Sequence, residues 1–368
     1  MNIFILAGEP SGDEYGAKLM KELTTNNPKN TFYGIGGSLM SEQGLNSMVP
    51  FQKMSVMGFV EVIKSLFFFI SVEKKILAFL KRNKPDKIIL IDYPGFNLRL
   101  CKKIKAHINT QIIYYISPQI WAWKEKRITT IKKFVDEMIV IFEFEKKWYK
   151  SKQLNVNYVG HPFLDIWQPN QNLDSLILNY KIDLDKPILT LFPGSRQQEI
   201  DKHLHLFVQA ALKIKKAIPN LQILLGLHSG VQLKQKIDQR ITIINDEPLK
   251  ALEIATAAIV SSGTATLQAA IMNTPAVVVY KMNLISWWLT KKLVHVHFAS
   301  MANIIAKKLV FPELLQNDAT INNISNHIIK IINEPTYRKK LLEEIKLIQE
   351  KVGKPGASKR AAQYIESV

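Results

Sequence analysis

The chain has 368 residues, of which 47% are hydrophobic, so it is long enough for about two domains with ordinary apolar cores. Its single cysteine, Cys101, excludes an internal disulfide and fits a reducing compartment. The net charge of +18 favours an anionic partner, such as an anionic membrane, a phosphorylated substrate or nucleic acid, although the spread-out lysines are equally typical of compositional drift.

Apolar runs alternate with helical patterns along the first half of the chain. Residues 3–7, 87–91, 112–116 and 138–142 have the short apolar pattern of buried strands, and each leads into a polar loop and a helix. No basic n-region precedes the first run, which therefore predicts a strand and not a signal peptide. This alternation indicates a parallel, doubly wound α/β sheet.

A strongly apolar stretch, MGFVEVIKSLFFFISV at residues 57–72, lies between the first two of these predicted strands. It is too short for a membrane span, which needs about 20 apolar residues, and it contains Glu61 and Lys64. Two alternatives remain: a buried core helix, which is the usual role of such a pattern, and an apolar surface that meets lipid.

The second half begins with a polar stretch, QPNQNLDS at residues 168–175, which predicts a linker. Strands are then predicted at residues 188–192, 221–225, 241–244, 257–260 and 276–279. The pattern is helical from residue 320 to the end, apart from the break KVGKPGA. The chain therefore predicts two Rossmann-like domains in tandem, with ligands at the carboxyl ends of the strands.

Two loops of the first domain carry acidic residues. The loop after the first strand, GEPSGD, matches neither the nicotinamide fingerprint nor the P-loop. Its Glu9 and Asp13 suit a sugar hydroxyl or a general base, although an acid such as Asp13 is also favoured in the first turn of a helix. Asp92 ends a strand in DYPGFN, where it is either the general base of an inverting sugar transfer or a structural carboxylate that holds the turn.

Two glycine-containing loops of the second domain predict a diphosphate site. The first consists of Gly194, Ser195 and Arg196, and the second of Ser262, Gly263 and Thr264. Each follows a strand and opens a helix, where backbone N–H groups can bind an anion. Either loop alone is as well explained by a turn or a helix cap, but two of them in one domain favour a nucleotide diphosphate.

Candidate metal ligands do not cluster in the sequence. The D-x-D string of Asp183 and Asp185 precedes a strand and predicts a turn. His203 and His205 are two residues apart on a predicted helix and do not face one ligand, and the histidines at 295 and 297 have no cysteine or acid nearby. We therefore predict no metal, and Arg196 with the helix N-termini would stabilise the diphosphate instead.

Motifs spread over nearly the whole chain carry a family resemblance. In order they are AGEPSGD, VMGFVEV, IDYPGFN, YYISPQIWAWKEKR, VGHPFLD, FPGSRQQEI, SSGTATLQAA, YKMN with WWLTKKLV, and MANIIA. Together they resemble the lipid-A-disaccharide synthase family, glycosyltransferases of outer-membrane lipid A assembly. The segments SPQIWAW and SGTATL in this order are highly specific.

The resemblance implies the GT-B fold, two Rossmann-like domains facing across a cleft with a final helix returning to the first. It divides the chain into an acceptor- and lipid-binding domain, residues 1–168 with about 345–368, and a UDP-sugar-binding domain, residues 169–344. The implied reaction is inverting and uses neither metal nor cofactor. UDP-2,3-diacylglucosamine and 2,3-diacylglucosamine 1-phosphate would give the β(1→6) lipid A disaccharide 1-phosphate and UDP.

The family motifs also imply site residues, with two departures. UDP contacts are implied for Gly194, Ser195, Arg196, Ser262, Gly263, Thr264, Gln268 and Asn303. Gln268 stands where the family usually has glutamate; its amide can bond a ribose hydroxyl, but a charged acceptor is lost. Gly95 stands where some relatives carry an acid, so the general base is left to Asp92, Glu9 or Asp13.

Because both implied substrates carry acyl chains, the resemblance favours lipid contact for the apolar stretch. Contacting residues would be Met57, Phe59, Phe67, Phe68 and Phe69, with Lys64, Lys74 and Lys75 as a basic edge toward anionic lipid. The protein is then predicted to be cytoplasmic and peripheral on the inner face of the inner membrane of a Gram-negative cell. The family also implies that a homodimer can form by exchange of C-terminal segments.

Three alternatives remain. Another UDP-sugar enzyme of the GT-B class, either a muramyl-lipid transferase or a UDP-sugar epimerase, would share the glycine loops, and a soluble epimerase would not need the apolar stretch. A basic nucleic-acid-binding protein fits the charge but lacks a recognised binding motif.

Overall fold

The computed structural model describes residues 1–54, 66–169, 173–227, 231–234, 236–261, 263–283, 287 and 296–368. The chain forms two compact units. Unit 1 consists of Met1–Trp167 and Gly353–Val368, and unit 2 of Gln168–Val352. Within the described ranges, no helix is both long enough and apolar enough to cross a membrane.

Thirteen strands and fifteen α-helices are described in these ranges. The strands are β1 (Asn2–Ala7), β2 (Thr31–Ile35), β3 (Leu45–Ser47), β4 (Lys87–Ile91), β5 (Gln111–Tyr115), β6 (Glu137–Val140), β7 (Asn157–Tyr158), β8 (Ile188–Phe192), β9 (Gln222–Gly226), β10 (Ile241–Ile244), β11 (Ala257–Ser261), β12 (Ala276–Tyr280) and β13 (Glu313–Leu315). The helices are α1 (Pro10–Asn26), α2 (Ser38–Glu42), α3 (Leu66–Asn83), α4 (Pro94–Lys105), α5 (Ile128–Phe134), α6 (Glu143–Ser151), α7 (Phe163–Ile166), α8 (Leu173–Tyr180), α9 (Gln197–Ala217), α10 (Pro248–Glu253), α11 (Thr264–Ile271), α12 (Met301–Ala306), α13 (Ile321–Asn333), α14 (Pro335–Val352) and α15 (Ala357–Ser367).

Unit 1 is built on a seven-stranded parallel sheet in the order β3-β2-β1-β4-β5-β6-β7. The central strands β1 and β4 are almost entirely apolar and buried, as expected when helices cover both faces of a parallel sheet. The chain leaves β1 toward β2 on one side and later returns to β4 on the other. The strand order therefore reverses between β1 and β4, the position where such sheets bind ligands.

The last helix belongs to unit 1, as the resemblance implies. Helix α15 packs against α1, and its first backbone N–H groups donate to the Asp165 carboxylate from Gly356 (2.5 Å), Ala357 (3.2 Å) and Ser358 (2.6 Å). The Arg360 guanidinium adds a bond to the Val159 carbonyl. A carboxylate at a helix N-terminus satisfies N–H groups that have no partner within the helix, so Asp165 fastens the C-terminal segment to its own chain.

Unit 2 is built on a six-stranded parallel sheet in the order β10-β9-β8-β11-β12-β13. Its order reverses between β8 and β11, which pair directly, with Ala257 opposite Leu189. The two predicted glycine loops follow these two strands. Because the carboxyl ends of parallel strands meet at one edge, the fold brings both loops to the switch point of the sheet.

The three consecutive phenylalanines at the start of α3 lie in different environments. Phe67 is 83% exposed, Phe68 is half-buried and Phe69 is buried at 6% in the unit 1 core, where its ring lies 5.9 Å from that of Phe96. Consecutive helical residues are about 100° apart, so the three side chains cannot share one face. The acyl contact expected for Phe69 therefore does not fit its position, and Met57 and Phe59 lie outside the described residues.

Candidate functional site

The switch point of unit 1 brings together the acidic loops after β1 and β4. Ala7 pairs with Ile91, so Glu9 and Asp92 follow neighbouring strand ends. Gly8 makes this approach possible, because a Cβ atom there would lie 2.4 Å from the Tyr93 ring. Two of the three candidate bases are thus gathered at the position where parallel sheets bind ligands.

The backbone at Asp92 and Tyr93 adopts an uncommon conformation. Asp92 and Tyr93 have positive φ angles of 43° and 49°, and Ile116, at the end of the adjacent strand β5, has 66°. A positive φ is unusual for a β-branched residue such as isoleucine. Hydrogen bonds hold this geometry, because the carbonyl of Asp92 accepts from the Tyr114 hydroxyl (2.5 Å) and the Asn97 amide (2.7 Å). Such strain, fixed by its surroundings, is typical of functional sites.

Asp13 has a structural role that the sequence did not predict. Its carboxylate is buried and accepts backbone N–H groups from Gly37 (2.7 Å), Leu39 (3.2 Å) and Met40 (3.1 Å) at the start of α2. A carboxylate engaged by three donors at a neighbouring helix is poorly placed to take a substrate proton. This position argues against the role of general base that was considered for Asp13.

Gly95, the departure from the family pattern, lies in the first turn of α4 and is exposed. A Cβ atom built there would meet nothing within 4 Å. The acid that some relatives carry at this place would therefore fit without rearrangement.

Glu145 is a buried carboxylate near the carboxyl ends of β5 and β6 that the sequence did not predict. The carboxylate of Glu145 accepts the Trp121 indole N–H (3.1 Å) and the backbone N–H groups of Ile141 (3.3 Å) and Phe142 (3.2 Å). Burial raises the pKa of Glu145 to about 7, against the opposing effect of these bonds and with a smaller contribution from Asp92. Glu145 thus ties the loop after β5 to the loop after β6.

His161 lies in the same interior and is kept neutral by burial, which lowers its pKa to about 3. Its Nδ1 accepts the backbone N–H of Phe163 (3.2 Å), and its ring contacts those of Tyr15 and Phe142. A depressed pKa contributes stability that is present above the unfolded value of 6.5 and is lost as the pH falls toward 3. The raised pKa of Glu145 has the opposite effect on stability. Its contribution to the unfolding free energy is present below pH 4.5 and is lost as the pH rises through about 7.

Replacing His161 with asparagine should make unit 1 less sensitive to acid. The asparagine oxygen can accept the Phe163 N–H, but it does not titrate. The wild-type chain should lose on the order of 4 kcal/mol more unfolding free energy than His161→Asn between pH 6.5 and pH 3. Denaturant unfolding at several pH values measures this, with the exposed His107→Asn as the matched control. Identical pH profiles for His161→Asn and the wild type would contradict a buried neutral imidazole.

The first glycine loop of unit 2 already binds an anionic group. The carboxylate of Glu199, on the first turn of α9, accepts the Ser195 N–H (3.0 Å), and the Arg196 guanidinium lies 3.7 Å from the same carboxylate. Gly194, next to this contact, has φ 136°. A Cβ atom at Gly194 would lie 2.3 Å from that carboxylate. The arrangement shows that the start of α9 accommodates negative charge, as a helix N-terminus does.

His203 connects this loop to the end of β12. Its Nε2 accepts the Lys281 backbone N–H (3.0 Å), so its Nδ1 carries the proton donated to the Pro193 carbonyl (3.2 Å). Burial lowers the pKa of His203 and keeps it in this neutral form. Sequence reasoning dismissed His203 as a metal ligand and did not predict this role, because its partners come from two different loops.

The second glycine loop follows β11 and opens α11. Gly263 has φ 113° and is exposed together with Thr264, so neither is enclosed by the protein. Ser262 lies outside the described residues. Gln268 is half-buried one turn further along α11. Thr266 is fully buried, donating its hydroxyl to the Gly263 carbonyl (2.8 Å) and accepting the Met301 N–H (3.1 Å), and so fixes the loop.

Asn303 does not fit the donor contact that the resemblance implied. Its side chain is completely buried; the amide nitrogen donates to Phe311 O and to Glu313, both at 2.8 Å, while the amide oxygen accepts from Val310 and Phe311, both at 2.9 Å. With these bonds made, the Asn303 amide is committed to holding the segment after α12 in place.

Metal-binding geometry is not found in the part of the chain that the structure describes, where no three or more His, Cys, Asp or Glu side chains are grouped around a common point. In the D-x-D string, the Asp183 carboxylate accepts the Asp185 N–H (3.0 Å) and pairs with Lys186 (2.8 Å). It thus stabilises a turn.

Sequence comparison identifies relatives over the full length of the chain. A model of the family described as lipid-A-disaccharide synthetase matches residues 3–368. The chain is 35% identical to the lipid-A-disaccharide synthase of Coxiella burnetii (strain CbuK_Q154) over 370 residues, which cover 100% of this chain and 98% of the relative. It is 36% identical to the enzyme of the same name from Trichlorobacter lovleyi, with 100% and 97% covered.

Structure comparison finds solved enzymes that match this chain over its full length. The UDP-GlcNAc 2-epimerase from Neisseria meningitidis, solved with UDP-GlcNAc, has a TM-score of 0.71 at 12% identity, with both chains fully covered. The sucrose-phosphate synthase from Thermosynechococcus elongatus has a TM-score of 0.60 at 14% identity, covering 100% of this chain and 98% of the other. At this level of identity the likeness shows the fold alone, and it confirms the predicted GT-B class.

Proposed function

Because this chain belongs to the lipid-A-disaccharide synthase family, we propose that it is the hexosyltransferase that forms the lipid A disaccharide. The donor is UDP-2,3-diacylglucosamine, the acceptor is 2,3-diacylglucosamine 1-phosphate, and the products are the β(1→6) disaccharide 1-phosphate and UDP. The observation that carries this proposal is the family match over residues 3–368, at 34–36% identity to named synthases.

In this proposal unit 2 binds the UDP part of the donor. The loops at Gly194–Arg196 and Gly263–Thr264 flank the switch point between β8 and β11, and the first already accepts the Glu199 carboxylate. A diphosphate would take over that anion position, with Arg196 adding a charge-assisted bond. Gln268 would face the ribose hydroxyls from α11.

Unit 1 supplies the general base. Inverting transfer to a hydroxyl needs a group that takes the proton of the attacking oxygen as the new bond forms. Asp92 is the best-supported candidate, because it lies at the switch point of unit 1 on a backbone held in a strained conformation. Glu9 is the second candidate, at the neighbouring strand end.

A UDP-sugar epimerase is the second function that the fold admits, since several structural neighbours are epimerases. These neighbours are 9–12% identical to the chain, whereas the named synthases are 34–36% identical over nearly all of it. The sequence relationship therefore favours the transferase.

Product analysis tests the proposal. The pure chain is incubated with both acylated substrates in EDTA, and mass spectrometry detects the tetraacyl disaccharide phosphate while a coupled assay detects UDP. Equal amounts of the two products are expected. Folded protein that releases no disaccharide from this pair but epimerises a UDP-sugar would replace the proposal.

We also propose that α3 contacts the inner face of an anionic membrane where the acylated substrates reside. Phe67 projects into solvent. Lys74 and Lys75 are exposed about two turns further along the helix, and Lys74 lies on the same face as Phe67. An exposed aromatic side chain bordered by lysines is the pattern of a helix that lies on a lipid surface. Phe69, on the core side, anchors the same helix to unit 1.

Phe67→Ser should weaken binding to phosphatidylglycerol-containing vesicles by about tenfold, because it removes one large apolar group from the proposed contact. Co-sedimentation with vesicles measures the change. Leu178→Ser, which removes a side chain that is 78% exposed on α8, serves as the matched control and should bind as the wild type does. Unaltered binding of a folded Phe67 variant would remove α3 from the membrane contact.

The proposed homodimer would form by exchange of C-terminal segments. In that assembly the Asp165 bonds to α15 would be made with a partner copy. Sedimentation of the wild type and of Asp165→Ala would show whether these contacts determine the oligomeric state.

A further inference from the structure

Two cations of unit 1 lie against one exposed aromatic ring in the loop after β5. The Lys124 ammonium lies 4.3 Å from the centre of the Trp123 ring, and the Arg127 guanidinium carbon lies 5.7 Å from it. Trp123 is 38% exposed. Lys124 has a positive φ of 56° and immediately precedes the short 3₁₀ helix Glu125–Arg127. Both cations lie within about 6 Å of the ring centre, the range of cation–π contacts.

This pair of like charges is not neutralised by the described carboxylates. The one acid in the segment, Glu125, pairs instead with Lys152 at 2.5 Å. In the described residues no carboxylate lies within ion-pair distance of Lys124 or Arg127. Partial burial lowers the pKa of Lys124, and the neighbouring Arg127 charge adds to the effect. Two cations held together without an acid favour an anion from outside the chain.

The cation pair follows β5 and the proposed base follows β4, two strands that pair side by side in the unit 1 sheet. The Tyr114 hydroxyl donates to the carbonyl of Asp92, and the Arg127 charge opposes the rise in the pKa of Tyr114 that burial and the Asp92 carboxylate cause. Helix α5, which begins at the residue after Arg127, packs against α4, which begins two residues after Asp92. An anion on the cation pair would sit at the carboxyl edge of the sheet, beside the loop that carries Asp92.

We propose that Lys124 and Arg127, positioned by Trp123, bind the phosphate of the acceptor sugar. This proposal rests on the proposed function and identifies the part of the acceptor that unit 1 recognises. In the acceptor ring, C1 carries the phosphate and C5 carries the C6 group with the attacking hydroxyl, and these two carbons flank the ring oxygen. A phosphate site beside Asp92 thus places that hydroxyl near the base, and it discriminates against sugars that lack a phosphate monoester.

The test compares two acceptors, 2,3-diacylglucosamine 1-phosphate and the same diacylglucosamine without phosphate. Lys124→Ala and Arg127→Gln should each raise KM for the phosphorylated acceptor about 10- to 100-fold, the range of one lost charge-assisted bond. KM for the UDP-sugar and KM for the unphosphorylated acceptor should not change. Lys126→Ala, which removes an exposed charge from the same segment, is the matched control and should leave all three values unaltered.

Binding of glucosamine 1-phosphate to the full chain gives a readout that does not depend on turnover. Calorimetric titration should show binding to the wild type, about tenfold or more weaker binding to the two variants, and little binding of glucosamine. If the wild type makes no disaccharide but keeps this pattern, the proposed function fails while the phosphate site stands. If wild type and variants bind glucosamine 1-phosphate equally, or none binds it, the phosphate site is overturned.

A lipid headgroup is the other phosphate that could occupy this site. Vesicle binding distinguishes the two sources. If Lys124→Ala and Arg127→Gln lose affinity for phosphatidylglycerol vesicles while their acceptor KM stays at the wild-type value, the cation pair recognises the membrane and the proposal is wrong. Wild-type vesicle binding with a raised acceptor KM supports it. Thermal unfolding of each variant confirms that the comparison is made on folded protein.

Discussion

Replacing Asp92 with asparagine is expected to lower kcat for disaccharide formation by about 10²- to 10⁴-fold, the range of a lost general base. KM for the UDP-sugar should stay within a factor of two or three, since the proposed diphosphate site lies in unit 2. Asparagine has nearly the same shape as aspartate and tolerates a positive φ, so it can occupy φ 43° without new strain. The measurement is steady-state kinetics with both substrates varied.

Two further variants decide whether the effect belongs to Asp92. Glu9→Gln removes the other carboxylate at this edge and should lower kcat far less. Asp13→Asn should lower the unfolding free energy instead, by about 1–3 kcal/mol, because it disturbs a carboxylate that accepts three buried or half-buried N–H groups. A larger loss of kcat for Glu9→Gln than for Asp92→Asn would move the base to Glu9.

Arg196→Ala is expected to weaken UDP binding by about 10- to 100-fold, because a charge-assisted bond to phosphate contributes about 1.5–3 kcal/mol. The helix N-terminus and the glycine backbone remain in this variant, so some affinity should persist. KM for the UDP-sugar should rise by a similar factor. Calorimetry with UDP in EDTA measures the affinity directly.

Lys202→Ala provides the matched control, because Lys202 is an exposed cation on the same helix α9. It should bind UDP as the wild type does, which separates the position of Arg196 from a general effect of net charge. A wild-type UDP affinity for Arg196→Ala would show that the diphosphate does not lie at the start of α9. Both variants are far from the core, so their thermal stability should match that of the wild type.

Local sequence features were enough to predict most strands of both sheets. Continuous apolar runs such as residues 87–91 and 188–192 became β4 and β8, because a strand covered on both faces needs no polar alternation. Short strands such as β3 and β13 lack such runs and were not predicted. The glycine loops were recognised because a strand followed by glycine and a helix is a local pattern.

Roles that depend on distant partners were beyond the sequence. Asp13 stabilises α2 through residues 24 to 27 positions away, and Asn303 holds a segment through four hydrogen bonds that no motif encodes. The pKa of Glu145 follows from burial, which composition does not reveal. The separation of Phe67 from Phe69 is different, since helical periodicity alone would have predicted it.

The departures at Gly95 and Gln268 leave the proposed chemistry intact. Gly95 is exposed and open, so an acid there in relatives would stand beside the Asp92 loop and not replace a structural contact. Introducing Gly95→Asp into the Asp92→Asn chain would show whether a carboxylate one helical turn away can serve as the base. Gln268 can still donate to or accept from a ribose hydroxyl.

The central claim is that unit 2 binds UDP while unit 1 supplies the general base. Its most direct test is UDP binding, measured side by side for Asp92→Asn and Arg196→Ala in EDTA. The account predicts wild-type affinity for the Asp92 variant, despite its loss of kcat, and an affinity about 10- to 100-fold weaker for the Arg196 variant. Loss of UDP binding in the Asp92 variant, with wild-type binding in the Arg196 variant, would contradict it.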